Sequence, residues 1–428
     1  TTGTNNVGIG HDTLRCNTTS DNNTAVGVCS LYNNTGAANT AVGKSALTAN
    51  TSGTSNVALG NAMEQNTTGS NNTAAGNGAL QANTTASGNT AFGRIVLASN
   101  TTGANNVGVG FCALRESTTG SGNTSVGACS LCHNTTASNN TAVGFCSLHE
   151  NTTGTENTAV GDSALDANTT ASENTAVGIR ALTANTTGGA NTAVGKNALL
   201  DATTSGNNVA VGVEALQNIT TGTGSNVGVG RSAGENLTDG CCNTMLGFGA
   251  GLGITTGDHN IMIGSCSCGS SSSAGNQSVI GFRVEGADNT ITFGNTATDS
   301  RIAYGATSIT APSDMRLKEE ITDSTAGLDF INDLRPVTYK WKQEKDIPET
   351  MKGYVEDSTK RYKNEKVNHG FIAQEVKEAI NNHPELKDGF DMWQEETETV
   401  GKRQRLAEGA LIPVLVNAIK ELKAEIEL

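Results

Sequence analysis

Apolar and polar positions follow one repeating frame through most of this chain. A glycine recurs every 17 residues with one-residue slips, from Gly10, Gly27 and Gly43 to Gly264 and Gly281, 17 times in all. One apolar residue stands before each glycine, as at Val160, Val177 and Val194, and a leucine follows four residues after most, as at Leu148, Leu165 and Leu182. Each NTAVG unit therefore predicts a short strand with Thr and Val on one face and Ala on the other. In the NVGVG variants the alternate site shrinks to Gly108, which predicts close backbone approach on that face. The NTTG and NTSG stretches predict turns on the outside, since Asn and Gly tolerate left-handed conformations and Thr bonds to local backbone.

Parallel coils spaced about 4.8 Å apart would build a rod roughly 80 Å long. Two or three apolar side chains per coil bury too little to offset ordering at about 1–2 kcal/mol per residue. The pattern thus predicts several chains sharing an apolar axis, with the Val160 and Leu165 classes buried. Asn-x-Ser/Thr triplets recur at Asn50, Asn83, Asn100, Asn151, Asn168 and Asn185, readable as glycosylation acceptors or as polar turn chemistry. Ten cysteines precede residue 269, and Cys112, Cys129 and Cys146 keep the 17-residue spacing. They read as small residues in one stacked column, as disulfide partners or as metal ligands; with no histidine in that column, no metal is expected. No cofactor is expected either.

Composition changes at Ser313. Up to Pro312 there are 17 acidic and 9 basic residues; the remaining 116 residues hold 24 and 18, so the net charge of −14 divides into −8 and −6. Neither part has the basic field a phosphate backbone requires, so no nucleic-acid partner is expected. No apolar run approaches the ~20 residues of a membrane span, so no membrane insertion is expected. The chain opens at Thr1 in mid-repeat, which predicts a preceding segment.

Four blocks in the charged part carry a family signature: Ser313-Asp314-Met315-Arg316-Leu317-Lys318 with Ile321, GLDFINDLRPVTYKWK, HGFIAQEV and LIPVLVNAIKEL. Together they resemble the endosialidase-type intramolecular chaperone domain of phage tailspikes and fibres. The resemblance implies a trimer that helps the upstream β-structure assemble and then cuts itself off through a Ser–Lys dyad, here Ser313 and Lys318. Asp314, Arg316, His369 and Gln374 are candidate supporting residues. The cut is expected beside Ser313, and Pro312 on its N-terminal side favours the Ser313–Asp314 bond. The polar run from Gln343 to Asn368 departs from the compact family pattern and reads as a longer surface loop. The shaft repeats resemble, at greater length, the head repeats of trimeric autotransporter adhesins; an intertwined triple β-helix is the alternative.

A serine hydroxyl is a weak nucleophile, and lysine serves as its base only when neutral, so Lys318 needs burial or a neighbouring cation such as Arg316. In the tail, Ile412, Leu415, Ile419, Leu422 and Ile426 follow the 3,4 spacing of a coiled-coil seam, with Glu421, Lys423, Glu425 and Glu427 on its solvated face. The expected fold is mainly β and trimeric. A parallel β-roll or β-helix shaft occupies 1–281, a β-rich connector 282–312, and a small α+β chaperone domain 313–428, with a coiled-coil tail at 411–428. The expected protein is a homotrimeric fibre on a virion surface, assembled in the host cytoplasm, with a host receptor or glycan as a candidate partner of the shaft. The alternative is a bacterial surface adhesin.

Overall fold

The computed structural model describes residues 2–222, 224–296, 298–304, 321–349, 354–386, 390, 392–395 and 404–427. It divides the chain into two compact units, Thr1–Pro312 and Ser313–Leu428.

The first unit is a parallel β-solenoid. Each coil contributes one three-residue strand, from β1 (Val7–Ile9) to β16 (Ile261–Ile263), followed by the longer β17 (Ser278–Phe282), β18 (Thr290–Asn295) and β19 (Thr298–Ala303). Strands pair in parallel with the same position one coil on: β10 (Thr158–Val160) aligns Thr158 with Thr175, Ala159 with Ala176 and Val160 with Val177 of β11 (Thr175–Val177). The sheet continues through β18 and closes with the antiparallel β19, which opposes Thr290 to Ala303.

Alternation along the strand puts Ala159 inside and Thr158 and Val160 at the surface. The expectation of buried valines is therefore corrected within one chain: Val177 and Val194 are 36% and 37% exposed, whereas Leu165 and Ala164 are fully buried. The interior is narrow, and the leucine of the turn fills the space opposite the strand, so where that leucine is present the strand centre takes a small residue, most often alanine. Leu165 reaches inward from a left-handed backbone, φ 53°, and Ser163, two residues before it, has the same φ while its hydroxyl donates to the Asp162 carboxylate on the outside. Such residues cost roughly 1–2 kcal/mol each. The geometry turns successive amides in opposite directions, Ser163 N–H donating back to Phe145 O at 2.9 Å and Leu165 N–H forward to Ala181 O at 3.0 Å. Leucine burial, about 1.5–3 kcal/mol, and these inter-coil bonds offset the strain. The recurrent glycine is required: at Gly161 φ is +141° and a Cβ would lie 2.4 Å from Gly178 O.

The interior conserves volume from coil to coil. Val96 replaces the turn alanine, and a Cβ on Gly108 in the next strand would lie 2.4 Å from its Cγ1. A side chain, not backbone, is thus what requires Gly108. Met245 at a strand centre is matched by Gly234 and Gly251 at the leucine position, where added Cβ atoms would meet its Sδ at 2.6 and 2.5 Å.

The second unit contains helices α1 (Leu328–Asp333), α2 (Ala373–Asn382) and α3 (Leu411–Ile426), and the antiparallel pairs β20 (Val337–Tyr339) with β21 (Asn368–Gly370) and β22 (Trp393–Glu395) with β23 (Gln404–Leu406). Phe330, Val376, Ala379, Met392, Leu411 and Val414 form its core. Helix α3 buries Leu411, Val414 and Ala418 and exposes the spaced row Ile412, Leu415, Ile419, Leu422 and Ile426. Glu421 is more than a solvated charge, since its carboxylate accepts the Leu328 amide at 2.6 Å at the start of α1. The polar run after Gln343 is pinned rather than open: Glu344 N–H donates to Lys360 O at 2.8 Å, Tyr362 N–H to Lys342 O at 3.0 Å, and Tyr362 stacks edge-on against Trp341.

Candidate functional site

Ser313, Asp314, Arg316 and Lys318 lie outside the described residues. The two remaining candidates sit where β21 leads into α2. His369 is exposed and opposes Thr338 across the β20–β21 pair, and Gln374 is exposed in the first turn of α2. His369 lines a shallow groove with Pro336, Val337, Thr338, Gly370 and Phe371. The second and third sequence blocks are joined here twice, by the strand pair and by a bidentate ion pair from the Arg335 guanidinium to the Glu375 carboxylate.

A residue the sequence reading passed over holds the end of α2. His383 Nε2 bonds Asp333 Oδ2 at 2.9 Å and its Nδ1 bonds Glu385 Oε1 at 3.0 Å, while its ring meets Phe330 edge-on. Burial works against its charged form, but the bonds to Asp333 and Glu385 outweigh it and raise the imidazole above its ordinary range. Glu385 is correspondingly lowered, by a backbone hydrogen bond and by His383.

Residues 313–384 match the family model of the peptidase family described as chaperone of endosialidase. An endosialidase-type chaperone segment therefore follows the β-solenoid shaft. The match implies a serine-peptidase-type domain that acts on its own chain. It covers the first three sequence blocks and stops before α3. No curated protein and no solved structure matches the chain significantly.

The shaft corrects one further reading. Asn50, Asn83, Asn100, Asn151, Asn168 and Asn185 are fully buried, so the folded shaft offers none of them for glycosylation. They form an internal ladder: Asn168 Nδ2 donates to Asn151 Oδ1 at 2.8 Å and to Ala171 O at 3.1 Å. A second ladder precedes the strands, where Asn157 N–H donates to Asn140 Oδ1 at 2.9 Å and Asn157 Nδ2 to the same Ala171 carbonyl at 2.8 Å. The NTTG turn thus keeps its Asn and Gly inside and turns only its threonines toward solvent. Cys112, Cys129 and Cys146 are thiols stacked in one column, Cys112 buried and the others half-buried. No histidine stands in that column, yet three residues further along the same coils Cys132 meets His133 and His149. The overlooked signal was the doubled spacing, Cys129-x-x-Cys132-His133 in one coil and Cys146-x-x-His149 in the next.

Proposed function

We propose that this chain is the distal part of a trimeric virion fibre whose C-terminal segment drives trimer assembly and then cuts itself from the shaft beside Ser313, with Ser313 as nucleophile and Lys318 as its base. The observation that carries this reading is the family match, which begins at Ser313, the first residue after the solenoid unit. Two apolar surfaces support assembly of several chains. Along the shaft, Val177, Val194, Val211 and Leu246 before the glycines are exposed, and beside them Phe145, Ile179, Val213 and Phe248 after the glycines alternate with Asp162, Lys196 and Arg231. On α3, the 3,4-spaced residues are exposed and lie outside the core of the second unit among the described residues. Each of these exposed apolar surfaces favours burial against copies of the chain.

The chemistry limits where the cut can fall. Ser313 Oγ reaches the Pro312 carbonyl of its own chain through a five-membered ring, whereas its own carbonyl would need a four-membered one. Attack on Pro312 frees the Ser313 amine and leaves an ester that water hydrolyses. The expected cut after Ser313 instead requires a Ser313 hydroxyl from another chain of the trimer, with Asp314 leaving as the amine and water then hydrolysing the inter-chain ester to free the Ser313 carboxylate and that hydroxyl. In either route neutral Lys318 takes the hydroxyl proton, a state that burial or the Arg316 charge would favour. Ser313→Ala and Lys318→Ala should each leave one full-length chain where the unmodified protein gives two fragments, because nucleophile and base act as one unit. Intact mass distinguishes a shaft ending at Pro312 from one ending at Ser313; cleavage of the Ser313→Ala chain would reject the dyad.

A further inference from the structure

Outside the chaperone segment, the described residues bring one group of soft and nitrogen donors together, on two consecutive coils of the shaft. Cys132 follows the strand Thr124–Val126 and His149 the strand Thr141–Val143, and these strands pair in register. The donor atoms of Cys132, His133 and His149 lie within 4.8 Å of one another. The histidine rings stand 4.6 Å apart between centroids, tilted by 49°. Glu150 holds both, with Oε2 3.1 Å from His133 Nδ1 and Oε1 3.0 Å from His149 Nδ1. A second carboxylate, Asp166, places Oδ1 3.8 Å from His149 Nδ1, and that oxygen is buried with no hydrogen-bond partner.

We propose that Cys132, His133 and His149 form a binding site for one transition-metal ion, Zn²⁺ by the chemistry of its ligands. One thiolate and two imidazoles are a borderline-soft donor set that suits Zn²⁺ over Mg²⁺ or Ca²⁺, which take oxygen ligands. Tetrahedral coordination needs donors about 3.4–3.6 Å apart, a closure that side-chain rotation supplies from the spacing present. Glu150 supplies what metal-binding histidines usually have behind them: a carboxylate bonded to His133 Nδ1 and within 3.0 Å of His149 Nδ1, which with Nδ1 protonated fixes the tautomer and leaves Nε2 with its lone pair for the ion. Three protein ligands leave the fourth position to water or to an incoming ligand.

The burial of the donors is graded in a way that suits entry of an ion. Cys132 is buried, while the histidine side chains are 31% and 25% exposed. Two coils on, the equivalent positions carry Asp166, Ala167 and Thr183, none of them a soft or nitrogen donor. The cluster is local and is not a property of the repeat.

The same coils indicate substitutions the fold accepts. Thr183 occupies the column of Cys132 and His149, and Ala167 that of His133. The test is titration of the reduced, metal-free full chain with Co²⁺, followed by displacement with Zn²⁺. One Co²⁺ per chain with a thiolate charge-transfer band is expected. Cys132→Thr should abolish the band, and His133→Ala with His149→Thr should weaken Co²⁺ binding at least tenfold with the circular dichroism unchanged. Cys242→Ser should change nothing. Absence of the band in the unmodified chain, its persistence in Cys132→Thr, or its loss in Cys129→Ser with Cys132 intact would each overturn this ligand set.

Discussion

Buried asparagine is the residue-scale invention of this shaft, and its interruptions can be read. Where Ala202 replaces the ladder residue, Asn185 Oδ1 is left buried without a partner; where Ser117 replaces it, Asn100 Oδ1 is. A donor restored by Ala202→Asn should satisfy Asn185 and raise shaft stability by about 1 kcal/mol, the net worth of a buried hydrogen bond. Asn168→Ala should do the reverse, costing about 1–3 kcal/mol by orphaning Asn151 Oδ1. Denaturant midpoints of the two variants check the sign. His383 makes a pH prediction of the same scale. Its folded pKa is raised, so its contribution is fully present below the unfolded value, about 6.5, and is lost as pH rises through the folded value. Lowered Glu385 acts oppositely, losing its contribution as pH falls through its folded value. Both tryptophans, Trp341 and Trp393, lie in the second unit, so their fluorescence isolates its unfolding. Its thermal midpoint should fall between pH 6 and pH 8, and His383→Gln should flatten that slope.

At the scale of the element, α3 divides its apolar residues between two tasks. Leu411, Val414 and Ala418 belong to the chain's own core, while Leu415 and Leu422 are 41% and 45% exposed on the spaced row. Leu415→Asp with Leu422→Asp should therefore leave the second unit folded by tryptophan fluorescence, yet reduce both trimer formation and cleavage. A charge carried into an intermolecular seam costs several kcal/mol per chain unless neutralised. Uncut monomer should accumulate; normal cleavage in a monomeric variant would mean that the Ser–Lys site is complete within one chain. Val414→Asp, on the inner face, should unfold the unit itself.

For the whole molecule, the proposed self-cleavage would have a kinetic consequence. Solenoid coils bond mainly to their neighbours, so a shaft can fray from an end but refold on the coils that remain. If a C-terminal trimer guides assembly and is then removed, the route by which chains separate and reassemble is removed with it. Cleaved shafts should persist as trimers through heat and detergent longer than Ser313→Ala shafts, through a slower dissociation rate without a larger equilibrium free energy. Equal rates over time would reject the locking role and leave cleavage as disposal of a spent chaperone.

The sequence by itself determined the 17-residue coil, the strand at each NTAVG with Ala opposite Thr and Val, the inward Leu165 class, and the chaperone segment beginning at Ser313; which strand face turned inward was left to the structure. These are legible because repetition and strand alternation turn local pattern directly into position. Tertiary structure alone decided which polar residues are interior. Asn168 reads as an exposed turn residue or a glycan acceptor until the coils stack, for only then does its amide meet Asn151 and the Ala171 carbonyl. The Val160 class turned outward because each coil fills itself with alanine and leucine, a balance of volume that hydrophobicity does not reveal. Cys132, His133 and His149 converge because a 17-residue separation in sequence is one coil in space, a distance that becomes short only through the register of the sheet.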